Sequence, residues 1–168
     1  MRKNFGEAEK EIAANREEII NKLVGFGATD ALLFWGHNDD LVARQEKLWI
    51  PIILWARKAL NASLETTQGL DIPQQNLKLG DKLRIFIEGL DNRELTAYYL
   101  AALDMRSVIL AAALVKGQIT ADEAYKAAWL EELWQAEKWG VDPEAESKRL
   151  EMRNELREIE AYLKGSPA

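Results

Sequence analysis

The fold follows from residues 108–123, Val108-Ile109-Leu110-Ala111-Ala112-Ala113-Leu114-Val115-Lys116-Gly117-Gln118-Ile119-Thr120-Ala121-Asp122-Glu123. The eight apolar residues that open this stretch predict a buried helix, and they are far fewer than the roughly 20 needed to span a bilayer. Gly117 is a typical helix stop, and Thr120 with Glu123 matches the capping box that starts a helix. The turn between the two helices is short, so we predict an antiparallel helical hairpin and no membrane insertion.

The two arms of this hairpin extend outward from the turn. A second capping box, formed by Asp91 and Glu94, predicts that the first arm begins there and runs to about Lys116. The second arm is predicted to run to about Lys138 and to end at Gly140. A further helix is predicted to start at Asp142-Pro143, because proline is favoured in the first turn of a helix, and to run to Gly165.

The N-terminal half of the chain also has mostly helical patterns. Apolar spacing predicts a helix over residues 7–24 and another that follows Asp39 or Asp40, with Pro51 kinking or splitting the latter near Ile50. Residues 31–35 fit either an extended segment or a helical turn. Residues 62–73 are predicted to form an exposed, extended connector, which precedes a helix from about residue 76 to residue 88.

These patterns together predict an all-α fold. We expect one multi-helix domain over residues 1–164, with about five to six helices, the central antiparallel hairpin and the short extended connector. Residues 165–168 are predicted to be a flexible tail.

The composition of the 168-residue chain argues against several classes of protein. It contains no cysteine and a single histidine, His37, so disulfides, thiol chemistry and a multi-histidine metal site are excluded. Its glycines do not form a phosphate-binding loop, and its formal charge of -6 disfavours nonspecific binding to nucleic acid. We therefore expect a protein that is not an enzyme and that has no catalytic group, no cofactor, no metal and no nucleic-acid partner.

Residues 129–140 combine large aromatic side chains with acids. Trp129, Trp134 and Trp139 are five residues apart, so they fall on drifting helical faces and cannot all face inward. Trp49 and Trp55, on an earlier helix, are predicted to lie in the core. An exposed tryptophan beside acids is typical of a protein-binding hot spot. The candidate binding residues are Trp129, Glu131, Glu132, Trp134, Gln135 and Trp139.

Two interpretations of Glu131 remain open from the sequence. The neighbours on its helical face are small or uncharged, and an unbroken hairpin would place it level with Asp104 on the first arm. Its carboxylate would then be buried and would need a partner. Alternatively, the helix turns Tyr125, Trp129 and Leu133 inward, and Glu131 lies in water.

Four groups of residues between Phe26 and Trp139 carry a resemblance to a known family. They are Thr29-Asp30-Ala31-Leu32-Leu33; Leu41-Val42-Ala43-Arg44-Gln45 followed by Trp49, Pro51 and Trp55; Thr66-Thr67-Gln68-Gly69; and Leu130-Glu131 with Gln135 and Trp139-Gly140. Together they resemble the ATP-twelve family of mitochondria and alphaproteobacteria. Members of that family are assembly chaperones that bind the alpha subunit of the F-type ATP synthase catalytic head.

The resemblance implies both a fold and a role. Members of the family have a small N-terminal domain that contains β-structure, followed by a helical C-terminal domain. This chain resembles the helical C-terminal domain. The implied role is an ATP-independent chaperone that shields an alpha-subunit surface until the beta subunit arrives, with Glu131 as the functional glutamate. We expect a monomer in the bacterial cytoplasm or the mitochondrial matrix. The alternative is a structural or engineered helical scaffold with no client and no catalytic activity.

Overall fold

The computed structural model describes residues 4–73, 76 and 78–165. These residues form nine α-helices, and two short 3-10 helices, Gly27–Thr29 and Ala31–Leu33, lie between the second and the third. The all-α prediction is confirmed. The helices are α1 (Phe5–Ala14), α2 (Arg16–Val24), α3 (Asp39–Ala59), α4 (Leu79–Glu88), α5 (Asn92–Met105), α6 (Val108–Val115), α7 (Ala121–Ala128), α8 (Leu130–Trp139) and α9 (Pro143–Leu163).

Helix α6 forms the centre of the molecule. Every residue from Val108 to Leu114 is buried, as the uninterrupted apolar run predicts. The helix packs against α3, α5, α7 and α9, and its interface with α5 is the most extensive in the structure. One hydrophobic core extends from Phe5 to Tyr162, whose rings stack with their centroids 4.8 Å apart and so join the first helix to the last.

The helix starts that depend on local side-chain chemistry are confirmed. The carboxylate of Asp91 accepts a hydrogen bond from the backbone N–H of Glu94, and the Glu94 side chain accepts one from Asp91 in return. Thr120 and Glu123 form the same reciprocal pair at the start of α7. The turn before Thr120 joins α6 to α7, which pack against each other.

The prediction of five to six helices is wrong, because three predicted helices are each two helices. The first arm breaks after Met105, where Arg106 adopts a left-handed conformation with φ of 56° and Ser107 caps α6. The second arm breaks at Trp129, which lies between α7 and α8 and whose ring stacks on Tyr125. The N-terminal helix breaks at Asn15, whose side-chain amide donates to the carbonyl of Glu11 and competes with the helical hydrogen bonds.

Helix α3 differs from its prediction in two respects. It is not split near Ile50 but runs unbroken for 21 residues, with Pro51 on its exposed side. Its N-cap is Asn38, whose side-chain oxygen accepts from the N–H groups of Asp40 and Leu41, rather than Asp39 or Asp40.

The connector before α4 is extended, as predicted, and it is fastened to the body of the protein. Phe34 and Thr67 form an isolated parallel bridge, in which the N–H of Thr67 donates to the carbonyl of Leu33 at 2.8 Å. Residues 31–35 therefore combine both predicted forms, a helical turn and then an extended segment. Asn76, which is buried, donates to and accepts from the backbone of Glu65, with both bonds 2.9 Å long.

The predicted start of α4 and the predicted C-terminal tail compare with the structure as follows. Helix α4 begins at Leu79 instead of residue 76, and residues 74, 75 and 77 lie outside the described part of the chain. The predicted flexible tail also lies outside it, apart from Gly165.

A buried carboxylate, that of Asp30, fixes the break between α5 and α6. Its Oδ1 accepts hydrogen bonds from the N–H of Leu32 at 3.0 Å and from the hydroxyl of Ser107 at 2.8 Å. Its Oδ2 accepts from the N–H of Ile109 at 3.0 Å. Burial raises the pKa of Asp30 from 3.8 to about 6, although these three donors act in the opposite direction.

We expect Asp30→Ala to lower the free energy of unfolding at neutral pH by about 3 kcal/mol, because it leaves buried donors of Leu32 and Ile109 without an acceptor. Urea denaturation measures the loss. The exposed Asp71→Ala in the connector is the control, and we expect a change within about 0.5 kcal/mol. Equal effects of the two substitutions would contradict the role of Asp30.

The raised pKa of Asp30 also makes its contribution depend on pH. Between 3.8 and about 6 the folded protein holds a proton that the unfolded chain has released, so this stabilisation is lost as pH rises through about 6. We expect the unfolding free energy of the wild type, relative to that of Asp30→Asn, to fall by up to about 3 kcal/mol from pH ~4 to pH ~7. Urea denaturation across this range measures it, and a difference that does not vary with pH would contradict the assignment.

Candidate functional site

Helix α8 is anchored on the N-terminal turns of α3 by Trp134. The side chain of Trp134 is buried, and its indole N–H donates a 2.8 Å hydrogen bond to Oδ2 of Asp40. Leu130, one turn earlier on α8, is also buried. The hydrogen bond from Trp134 is the main reason why the pKa of Asp40 lies below its ordinary value.

Charged side chains surround this anchor. Both terminal nitrogens of the Arg44 guanidinium donate to the carboxylate of Glu137, and this pairing lowers the pKa of Glu137. Asp40 lies 3.6 Å from Arg44 and 3.5 Å from the ammonium of Lys138. All these side chains are substantially exposed, so the pairs add little stability, but they fix the orientation of α8 on α3.

The outer surface of α8, which we name the α8 face, consists of Glu131, Glu132, Gln135 and Trp139. All four are exposed, and their spacing brings them to the same side of the helix. The indole of Trp139 is 74% exposed, and it meets the buried ring of Trp134 edge to face, with centroids 5.6 Å apart. A large aromatic therefore projects into solvent from a fixed support, with Gln135 about one turn and the two carboxylates about two turns earlier on the same face.

The apolar part of this surface continues past the end of α8. Gly140 ends the helix with φ of 96°, a conformation that residues with a side chain rarely adopt. Val141 follows, and it is 54% exposed. Two exposed apolar side chains, those of Trp139 and Val141, thus lie on either side of Gly140 in the sequence.

The structure separates the six predicted binding residues into two groups. Glu131, Glu132, Gln135 and Trp139 share the exposed α8 face. Trp134 is buried and its ring meets that of Trp139, whereas Trp129 is half-buried with its ring 5.6 Å from that of Tyr125 on α7. The prediction that the three tryptophans do not all face inward is confirmed.

The prediction that Glu131 is level with Asp104 rests on two unbroken helical arms. Asp104 lies on α5 and Glu131 on α8, beyond the breaks that flank α6 and α7, so the assumption of two unbroken arms is wrong. Glu131 is exposed, and Tyr125 is buried, with Trp129 and Leu133 half-buried. This is the second of the two interpretations that the sequence left open.

Sequence reasoning missed the residues of α3 that hold α8 in place. The sequence pattern indicates Asp40 only as a residue at a helix start, and Arg44 only as part of the family resemblance. The signal that was available is their spacing of four residues, which places an acid and a base on one side of α3. Their partners Trp134 and Glu137 are more than 90 residues away, so no local pattern indicates the contact. Of the two tryptophans predicted for the core, Trp49 is buried and Trp55 is half-buried.

The α8 face offers a partner an indole ring, two carboxylates and a primary amide. Within residues 4–73, 76 and 78–165, no group of three or more His, Cys, Asp or Glu side chains is arranged to hold a metal ion. None of the helices in that part of the chain combines the length and hydropathy that crossing a bilayer requires.

Comparison with known proteins places this fold in a family. Residues 3–57 match the family model of the ATP12 chaperone protein. The crystal structure of Atp12 from Paracoccus denitrificans is 30% identical in sequence with a TM-score of 0.88, and the match covers 95% of this chain and 69% of that one. The chain belongs to the ATP12 chaperone family. A point mutant of the Paracoccus protein matches similarly, with 31% identity, a TM-score of 0.87, and coverage of 94% of this chain and 68% of the other.

A third ATP12-like structure comes from another bacterium. A protein of Agrobacterium tumefaciens, described as a candidate chaperone, is 28% identical with a TM-score of 0.82, and the match covers 95% of this chain and 60% of that one. The ATP12 family model covers α3 up to Arg57 and therefore includes Asp40 and Arg44, the α3 side of the anchor beneath the α8 face.

We expect the two tryptophans of α8 to differ in their effect on stability. Trp134→Ala removes a buried ring and its hydrogen bond to Asp40, and we expect a loss of about 3 kcal/mol in the free energy of unfolding. Trp139→Ala removes an exposed ring, and we expect a loss below about 1 kcal/mol. Urea denaturation of both variants measures this contrast, and a larger loss for Trp139→Ala would contradict the geometry of the α8 face.

Proposed function

We propose that this chain is an ATP-independent assembly chaperone that binds the unassembled alpha subunit of the F-type ATP synthase catalytic head through the α8 face. The observation that carries the proposal is the indole of Trp139, 74% exposed on the same helical face as Glu131 and Glu132 in a chain of the ATP12 chaperone family. An exposed tryptophan on a face that also carries acids is typical of a protein-binding hot spot.

Such a chaperone must cover a subunit interface until another subunit binds there. Unassembled interfaces are apolar and tend to associate with one another. The ring of Trp139 supplies contact area of the kind found at the centre of binding hot spots. Glu131 and Glu132 lie about two turns earlier on the same face, and they favour a client surface whose charge is opposite.

The anchor beneath the α8 face supports binding without reorganisation of the chaperone. Trp134 holds the ring of Trp139 from below, and the pairing of Arg44 with Glu137 fixes the roll of α8. A surface that is ordered before binding loses less conformational entropy when it binds. We assign Trp129 and Trp134 to this support and Glu131, Glu132, Gln135 and Trp139 to the contact itself.

The remaining parts of the proposal concern the conditions of binding. We infer that the chain acts as a monomer, in the bacterial cytoplasm or the mitochondrial matrix, without a cofactor, a metal ion or a nucleic acid. Relatives in Paracoccus and Agrobacterium support the bacterial setting. The formal charge of -6 supports a protein client rather than a nucleic acid.

Selective capture of the alpha subunit tests the proposed function. We expect the immobilised chain to retain freshly translated alpha subunit, and to retain beta subunit at the level of an unrelated helical protein. ATP in the buffer should not change the amount that is captured. Equal capture of the two subunits, or no capture of either, would favour a helical scaffold with no client.

Variants of the α8 face test the assigned residues. We expect Trp139→Ala and Glu131→Lys each to weaken binding of the alpha subunit by at least about tenfold, since a hot-spot residue contributes about 2 kcal/mol or more. The matched controls are Leu70→Ala, which removes a side chain that is 97% exposed in the connector, and Glu18→Lys on α2. Biolayer interferometry measures the affinities, and losses as large in the controls would rule out the α8 face.

A further inference from the structure

A second surface of the molecule, a groove between α3 and α7, is also shaped to receive part of a partner. It has a volume of about 420 Å³, within the range of small binding sites. The turn between α6 and α7 closes one end through Gln118 and Ile119. We name it the α3–α7 groove, and its lining residues are Lys47, Leu48, Pro51, Ile52, Gln118, Ile119, Glu123, Lys126 and Ala127.

The groove has an apolar floor. Ile52, Ile119 and Ala127 are buried and contribute the floor. Pro51 lines the wall inside the unbroken helix α3 and adds its apolar ring to it.

The charge of the groove is opposite to that of the whole protein. Lys47 and Lys126 line it, and neither forms an ion pair with a described carboxylate, although Lys126 helps to lower the pKa of Asp122, whose ion-pair partner is Arg157. The one acid in the lining, Glu123, uses a carboxylate oxygen to accept from the N–H of Thr120 in the capping box. The groove thus carries one net positive charge in a chain whose formal charge is -6.

An exposed apolar strip adjoins the groove on α3. Ile50 and Leu54 are 39% and 49% exposed, and they lie one turn apart beside Lys47 and Pro51. A bound segment that fills the groove can extend over this strip. The whole surface is apolar with ammonium groups at its edge, and the complementary segment has aliphatic side chains with carboxylates between them.

We propose that the α3–α7 groove binds a short protein segment in which aliphatic residues alternate with acidic ones. The aliphatic side chains lie on Ile52, Ile119 and the Ile50–Leu54 strip, and the carboxylates meet Lys47 and Lys126. This site is separate from the α8 face and carries the opposite charge, so its occupancy does not depend on the function proposed above.

A defined peptide tests the proposal. The probe is a fluorescein-labelled hexapeptide of alternating leucine and glutamate, and fluorescence anisotropy with the full chain measures its binding. We expect binding that weakens at high salt, and that weakens at least about tenfold in the double variant Lys47→Glu, Lys126→Glu. Lys10→Glu with Lys78→Glu is the matched control, because it reverses the same number of exposed lysine charges outside the groove and leaves the affinity within about twofold.

Control peptides separate the apolar and charged parts of recognition. Replacing leucine by serine in the probe removes the aliphatic contacts, and replacing glutamate by lysine reverses the charges. We expect either change to weaken binding to the wild-type chain by at least about tenfold. Failure of the leucine–glutamate peptide to bind, or equal binding of all three peptides, overturns the proposal.

Site-specific cross-linking locates the bound peptide. The chain has no cysteine, so a single Gln118→Cys at the end of the groove can carry a benzophenone label. We expect it to cross-link the leucine–glutamate peptide, whereas the same label on Asp71→Cys in the connector does not. Cross-links between two copies of the chain at residue 118 would instead mean that the protein covers its own groove, which contradicts the proposal. Circular dichroism of each variant establishes that it is folded.

Discussion

Asp30 accepts three buried hydrogen bonds, and the arrangement of the central helices depends on them. Its carboxylate joins the turn before α3 to Ser107 and to the start of α6, 77 and 79 residues later in the chain. Ser107 in turn accepts the N–H of Leu110 at 3.0 Å, so one acid holds both the break and the cap that follows it. A cap of this kind matters most for α6, which is short and wholly apolar and cannot exist outside the core. The burial that raises the pKa of Asp30 is therefore the consequence of placing the acceptor where buried amides need it.

Helix α3 connects the α8 face to this core and holds it in place. Helix α3 packs against α6, and its Trp49 donates a 2.9 Å hydrogen bond to the carbonyl of Ala127 near the end of α7. One helix thus fixes the end of α7 through Trp49 and the body of α8 through Asp40 and Arg44. The break at Trp129 between those two helices is held from both sides. Because of this, the exposed ring of Trp139 rests on a rigid support even though it lies near the end of a helix.

How much of this could be predicted depended on the range of the responsible interactions. The capping boxes at Asp91 and Thr120, the start at Pro143 and the burial of α6 follow from residues within a few positions, and the sequence is sufficient for them. The breaks at Arg106 and Trp129 were missed because the side chains that favour them pair across the fold: Ser107 with Asp30, and Trp134 with Asp40. A left-handed arginine also has no local signature, since that conformation is usual for glycine and asparagine.

The candidate site is likewise decided by residues that lie far apart in the chain. Spacing indicated that one of three tryptophans is exposed, but the partner of Trp134 decides that it is Trp139.

The distribution of paired and unpaired charges gives the molecule two surfaces of opposite character. Arg44 and Glu137 neutralise each other at the base of α8, and Arg157 does the same for Asp122 on α7. Glu131 and Glu132 form no ion pair with any described residue, and neither do Lys47 and Lys126. The formal charge of -6 therefore conceals a negative α8 face and a positive α3–α7 groove on helices that pack against each other. A partner that engaged both surfaces would need a basic region near an apolar contact and a separate acidic, aliphatic segment. Such a pattern discriminates between partners better than either surface alone, because a surface with only one sign of charge meets repulsion at one of the two sites.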